Sequence, residues 1–401
     1  MKQNKLLASI FLIVFIDLLG FSLILPILPF YAIRFQATDF MIGLLTASYA
    51  VAQFIAAPFL GRLSDRFGRR PILLISITGN IIGFIILALA PNLMWLFIAR
   101  ILAGFTGGNI SVAQAYIADV TKPEERAKGL GLIGAAFGLG FIFGPALGGM
   151  LSSWLTSAPA FLAALLSSIN LLMVIFWLPE SLTAERRQEL AHTTRPPFTL
   201  GAMLSALSRK TVGPLLYTRF FFGVAFTMFT SIFALWGLHQ LNLNEQQTGY
   251  ILAYIGLLSA IVQGVGVGIL AKRFRDQHLI LAAVILMTMG LLGWAFTTTI
   301  PMLLIILIPV ALGGGVLNTI INAALSKSVE PVDVGAILGL SSSLESLTRV
   351  ISPLLGTYLL QSLGNRSPGL ASTALLVLLA VYVLRYVVLP ESLPLSNNQA
   401  V

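Results

Sequence analysis

The chain has 401 residues, of which 57% are hydrophobic and only 10% charged, against about 25% charged in an ordinary soluble domain. It contains no cysteine, and its three histidines, His192, His239 and His278, are scattered, which excludes disulfides, thiolate nucleophiles and the usual zinc and iron–sulfur centres. The net charge of +9 lies in short connections between apolar runs, which fits membrane orientation and not a nucleic-acid surface.

About 20 mostly apolar residues are needed for a helix to cross a bilayer. That criterion predicts twelve spans, over 6–31, 39–61, 71–90, 93–117, 126–152, 158–178, 211–237, 246–270, 276–298, 301–325, 333–361 and 369–389. Lys2 and Lys5 precede the first run. It continues past any cleavage point of a signal peptide, so it is expected to be a retained span. With the N-terminus inside, eighteen of the 24 Lys and Arg residues fall in inner segments, and only Arg34 and Arg366 fall in outer loops. Positive charge collects on the cytoplasmic side, so both termini are expected there.

The most distinctive connection is Gly61-Arg62-Leu63-Ser64-Asp65-Arg66-Phe67-Gly68-Arg69-Arg70-Pro71. Its guanidinium groups are too costly to bury unpaired, so it reads as a tight cytoplasmic loop. Gly61 and Gly68 are expected to allow close helix approach and a left-handed backbone position. Asp65, among four arginines, can pair locally or with the end of a neighbouring helix. Contacts of that kind, made in one state and broken in another, would bias opening to one side.

The longest interruption, 179–210, is polar and carries Pro179, Pro196 and Pro197. It divides the chain into a six-helix bundle over 1–178, a cytoplasmic linker with a short surface helix at 182–191, and a second bundle over 211–401 with a short tail. An internal repeat supports the division. A shift of 208 superposes Gly315 on Gly107, Pro331 on Pro123 and Pro353 on Pro145, and a shift of 207 superposes the stretch from Gly268 on that from Gly61. With six spans each, the halves share one orientation.

These features resemble the major facilitator superfamily of secondary transporters. Gly61, Asp65, Arg66, Gly68, Arg69 and Arg70 look like its signature between the second and third helices. The fifth span carries Gly140, Gly144, Pro145 and Gly148 in a pattern similar to the motif of the proton-coupled drug antiporters, and Arg100 looks like their fourth-helix arginine. Asp17-Leu18-Leu19-Gly20, with Pro26 and Pro29, resembles the first helix of bacterial tetracycline efflux proteins. The chain departs from that pattern in its second half. It has no acidic residue between Gln277 and Ser328 and no histidine in the eighth span, and carries Glu345 in the eleventh instead.

Charge inside a bilayer is expensive and marks candidate functional groups. Asp17, Arg100, Arg219, Glu345, Arg349 and Arg385 lie within predicted spans. A carboxylate in an apolar setting changes charge with hydration and partners, which suits Asp17 to exchanging a proton for a cationic or polar solute, or to a fixed hydrogen-bonding role. Arg100 could hold a carboxylate ionised until solute or water breaks the contact. Glu345 and Arg349, four apart, share a helix face as a structural bridge or a transport pair, and Arg219 could bind an acidic part of the solute. Arg385, near the inner end of the last span, is expected to snorkel. The glycines of the fifth span allow close helix packing. Phe220, Phe221, Phe222, Phe226, Phe229 and Phe233 crowd the seventh, where a subset near Trp236 could line an apolar pocket.

The expectation is therefore an all-α membrane protein of the major facilitator fold: twelve helices in two pseudo-symmetric six-helix bundles, without cofactor or metal and not an enzyme. The resemblance implies a monomeric antiporter in a bacterial inner membrane, exchanging protons for amphipathic drug-like small molecules, cationic or zwitterionic, with tetracycline-like compounds among the candidates. The alternative is a sugar, amino-acid or other metabolite transporter of the same fold. No ATP-binding Gly-x-x-x-x-Gly-Lys-Ser/Thr loop is present, which argues against a nucleotide-driven pump.

Overall fold

The computed structural model describes residues 2–121, 125–183, 207–330 and 333–389. Among them, twelve helices are long and apolar enough to cross a membrane. They are α1 (Lys2–Ile24), α2 (Asp39–Phe67), α3 (Arg69–Ala88), α4 (Leu93–Thr106, continued by Asn109–Val120), α5 (Arg126–Ser152) and α6 (Ala158–Trp177). The second half holds α7 (Val212–Leu241), α8 (Glu245–Ile261, continued by Val262–Gly266 and Val267–Arg273), α9 (Asp276–Ala295), α10 (Ile300–Lys327), α11 (Val334–Leu363) and α12 (Ser367–Val383, continued by Leu384–Val388). The all-α class is the expected one. The surface helix expected at 182–191 lies almost wholly outside the described residues, as do most of the expected linker and the repeat partners Pro123 and Pro331.

Local sequence sets where these helices start. Thr38 accepts a hydrogen bond from the Met41 N–H, and Asn92 accepts from the N–H groups of Met94 and Trp95. At α8, Asn244 Oδ1 accepts from the Gln247 N–H at 2.8 Å while Gln247 Oε1 accepts from the Asn244 N–H at 3.1 Å, a reciprocal capping box. Pro159, Pro301 and Pro368 sit in the first turns of α6, α10 and α12, where a missing N–H costs nothing.

Three predicted boundaries differ. The first span is not continuous over 6–31: α1 stops at Ile24, and a separate helix runs from Leu28 to Arg34. Pro26 lies in the turn, where its ring cannot continue the ladder. The fourth span breaks at Gly107 and Gly108. The expected loop over 61–71 shrinks to one residue, because α2 runs on to Phe67 and α3 begins at Arg69. Only Gly68 separates them, with φ 107°, a backbone conformation that favours glycine. Gly61 makes no close approach, since a Cβ there would meet nothing within 4 Å.

The repeat is visible in the helices themselves. α2, α3 and α4 start at Asp39, Arg69 and Leu93, and α8, α9 and α10 start at Glu245, Asp276 and Ile300, offsets of 206, 207 and 207. The paired spans have 29, 20 and 28 residues in both halves. Pro58 lies inside α2, and at the shifted position α8 carries the five-residue π-helical segment Val262–Gly266, so both interrupt the hydrogen-bond ladder at one level. Pro145 in α5 and Pro353 in α11 correspond in the same way.

By compactness the chain falls into two units. One comprises Met1–Pro196, Ser231–Ala260 and Pro353–Ser362, the other Pro197–Thr230, Ile261–Ser352 and Leu363–Val401. In the first unit, the glycines of α5 pack on α1. A Cβ at Gly140 would lie 3.2 Å from the Leu18 Cβ, one at Gly144 would overlap Ser22, and one at Gly148 would overlap the Leu23 carbonyl. Ser22 Oγ uses the approach to donate to the Gly140 carbonyl at 2.8 Å. Small residues that bring backbones together are the principal packing device in lipid. In the second unit Gly313 lies against the Ala283 carbonyl, and Phe229 meets Trp294 edge to face with centroids 5.0 Å apart.

These contacts separate the glycines of α5 by function. Gly148→Ala is expected to cost about 1–3 kcal/mol through overpacking and to lower the denaturation midpoint. Gly134→Ala, which faces open space, should leave the midpoint unchanged or raised in the same assay.

Candidate functional site

The junction of α2 and α3 is held by one buried arginine. Arg69 pairs with Asp65 at 2.6 Å and with Asp119 at 3.0 Å, and donates to Ser64 Oγ at 2.7 Å. Arg70 closes the end of α6 by donating to the carbonyls of Ile175 and Val174. Glu180 closes the start of α3, its two oxygens accepting from the N–H groups of Arg69 at 2.9 Å and Arg70 at 3.1 Å, where a helix favours an anion. Arg66 is exposed and lies over the Phe67 ring at 5.3 Å. Asp65 thus pairs locally. The sequence does not single out Asp119, and it places Glu180 in the linker that begins at Pro179.

The second half carries a counterpart with inverted charge. Asp276, at the start of α9, pairs with Lys327, at the end of α10, at 2.8 Å. These positions correspond through the repeat to Arg69 and Asp119. The shift of 207 places Lys272, not an acid, at the position of Asp65. The acid stands four residues on.

Within the membrane spans the first half presents two separate groups. Asp17 Oδ1 accepts from Asn80 Nδ2 at 3.1 Å and Asn109 Nδ2 at 3.0 Å, and Asn80 Oδ1 in turn accepts from Thr106 Oγ1 at 3.1 Å. Beside it is a cavity of about 10 Å³, walled by Ile13, Val14, Leu73, Ile77, Ile110 and Ala113, room for about one water and no organic molecule. Among the described residues no cation pairs with Asp17. Arg100, 4% exposed, lies 4.3 Å from the Tyr49 ring centroid and 5.9 Å from that of Phe21. Its Nε has no hydrogen-bond partner, and no carboxylate among the described residues reaches it. Its charge is met by aromatic faces.

The second half gathers its three charges into one cluster. Glu345 Oε1 accepts from Arg349 Nη2 at 2.8 Å, Glu345 Oε2 accepts from Arg219 Nη2, and Arg219 Nη1 donates to Asn318 Oδ1 at 2.6 Å. The sequence paired Glu345 with Arg349 but considered Arg219 alone. The structure joins them across α7, α10 and α11, adding Asn318. The aromatics at this cluster are Phe222 and Phe226. Trp236 is buried in packing with Phe233. Arg385 is exposed and lies over the Tyr386 ring at 5.7 Å. No group of three His, Asp or Glu residues among those described is close enough to hold a metal.

Twelve apolar spans in repeated halves, with charged clusters built into them, define a membrane transporter. The profile of the Major Facilitator Superfamily matches residues 10–275 and 215–400. The tetracycline resistance protein, class C, of Escherichia coli is 35% identical over 374 residues, 92% of this chain and 93% of the relative. The class H protein of Pasteurella multocida is 32% identical over 360 residues, 89% of each chain. The crystal structure of the human organic anion transporter MFSD10 shares the fold, with a TM-score of 0.71 at 23% identity over 96% of this chain and 100% of its own. The chain belongs to the Major Facilitator Superfamily. It is a multi-pass membrane protein and a secondary transporter of small organic solutes, not an enzyme.

Arg69→Ala would leave Asp65 and Asp119 facing each other without their common cation. It is expected to destabilise the protein by about 2–4 kcal/mol, read as a lower denaturation midpoint. Arg66→Ala should change it by less than about 0.5 kcal/mol.

Proposed function

We propose that this chain is a proton-coupled antiporter that exports amphipathic drug-like small molecules by alternating access. In this reading it acts as a monomer in a bacterial inner membrane, with both termini in the cytoplasm. The tetracycline resistance relatives, matched over about nine-tenths of the chain, support export of such compounds.

The observation that carries proton coupling is the setting of Asp17. Its partners are neutral amides, so taking up a proton strands no cation, and the water-sized cavity beside it offers a place for the proton's carrier. Glu345 differs, because protonating it would remove the counter-charge from two guanidinium groups at once. Asp17 is therefore assigned the proton, and the cluster around Glu345 the solute. Arg100 sets the electrostatic field of the first half. The Arg69 network, with Asp65, serves as an inner latch that is made in one state and released in the other.

In liposomes containing the purified protein, adding tetracycline or another transported compound should drive proton movement. Asp17→Asn should reduce that movement to the level of protein-free liposomes while leaving the protein folded and abundant. Proton movement in Asp17→Asn equal to that of the wild type would remove Asp17 from the coupling step. Solute movement without protons in the wild type would favour metabolite transport by facilitation.

A further inference from the structure

The second unit contains a cavity of about 130 Å³ lined by Arg219, Phe222, Phe226, Asn318, Glu345 and Arg349. That is close to the size of an apolar cavity that accepts benzene. Its charge does not balance, since two guanidinium groups face one carboxylate, leaving one positive charge. Among the described residues no other ionisable side chain lines the space.

The two arginines are not equivalent. Arg219 is 5% exposed and turned toward Glu345 and Asn318, which take up both of its terminal nitrogens. Arg349 is 48% exposed and spends a single nitrogen, Nη2, on Glu345. Among the described residues it has no other ion-pair partner, so the rest of its planar fork is available to a ligand. A planar fork of this kind matches a carboxylate in two parallel hydrogen bonds.

The wall beside it is apolar, and because Phe222 is 1% exposed while Phe226 is half-buried, Phe226 is the ring that can meet a ligand. The rings of Phe222 and Phe226 stack with centroids 5.5 Å apart and planes 22° apart, and Gly223 places no side chain at the cavity. Phe226 lies flush against α10 because Gly314 has no side chain, since a Cβ there would sit 2.8 Å from the ring. An anion with an aromatic body satisfies both surfaces. A cation would meet net positive charge, and a neutral molecule could accept from the fork of Arg349 but would leave the excess positive charge unbalanced.

We propose that this pocket binds the anionic group of the solute, an organic carboxylate seated on Arg349 with its apolar body against Phe226, which Phe222 backs. The inference rests on the transport reading only in treating the bound acid as cargo. It shifts the expected charge of that cargo from cation to anion or zwitterion.

The test is titration calorimetry on the full-length protein in phosphatidylcholine nanodiscs, without a proton gradient, using benzoate, benzamide and benzylammonium as ligands of one shape and three charges. Benzoate should bind at least about tenfold more tightly than the other two, the scale of one charge-assisted hydrogen bond. Arg349→Gln should weaken benzoate by a similar factor, whereas Glu345→Gln, which adds one positive charge, should tighten it. Opposite signs in two neighbouring variants cannot arise from a shared loss of folding. Equal binding of the three ligands, tighter binding of benzylammonium, or weakening by both substitutions would overturn the proposal. So would loss of benzoate binding on adding phosphatidylglycerol, which would assign the pocket to a lipid headgroup. Because no gradient is applied, failure of proton coupling leaves the binding result intact. Failure of benzoate binding equally leaves proton-coupled export of cations standing.

Discussion

A charge placed in a hydrocarbon layer has to find its counter-charge or dipole inside the protein, because the solvent supplies none. An arginine or aspartate at the centre of a span costs about 2.5–3.5 kcal/mol on insertion scales, so each such residue here comes with a distinct arrangement for meeting it. Asp17 uses two amides, Arg100 uses aromatic faces, and Arg219 and Arg349 share Glu345. These solutions differ in what they permit. Amides can stay in place while the carboxylate changes its proton. A carboxylate held by two guanidinium groups stays charged, and leaves the more exposed of them partly uncommitted.

The scaffold that positions these groups is repeated, but the groups are not. α2, α3 and α4 match α8, α9 and α10 in length and offset, and the ion pair at the α3–α4 ends recurs at the α9–α10 ends with its charges exchanged. Asp17, Arg100, Arg219 and Glu345 have no charged counterpart at the shifted positions, which are Val224, Leu307, Leu12 and Phe137. Helix packing and the tethers at the helix ends are thus common to both halves, while the polar groups inside the bilayer are specific to one. That is the asymmetry expected where the two halves divide the work of moving a proton and a solute, as proposed above.

The sequence made the number of spans and the close-packed glycines legible because both rest on local signals. Apolar length marks a span, and small residues four apart mark a contact face, as at Gly140, Gly144 and Gly148. It was less informative where a helix continues into water. Arg62, Asp65 and Arg66 read as loop because they are charged, yet a helix leaving the bilayer can carry charge freely, and α2 runs through them to Gly68. Partnerships were harder still. Asn80, Asn109 and Asn318 are polar residues within membrane spans, a signal available in the sequence, but which charge each one meets depends on how helices far apart in the chain pack. Glu180 was assigned to a linker by its neighbours Pro179 and Arg186, whereas its carboxylate closes the first turn of α3.

In the proposed mechanism Asp17 and the Arg219–Glu345–Arg349 cluster divide the labour of moving proton and solute. Solute exchange separates them, because it requires binding and alternation but no net proton transfer. The measurement is the exchange of labelled against unlabelled solute, benzoate or tetracycline according to which the wild type moves, in liposomes held at equal pH on both sides. At solute concentrations below saturation, Asp17→Asn should retain wild-type exchange and Arg349→Gln should slow it about tenfold. Loss of exchange in Asp17→Asn, or an unchanged rate in Arg349→Gln, would contradict the assignment of proton and solute to separate sites.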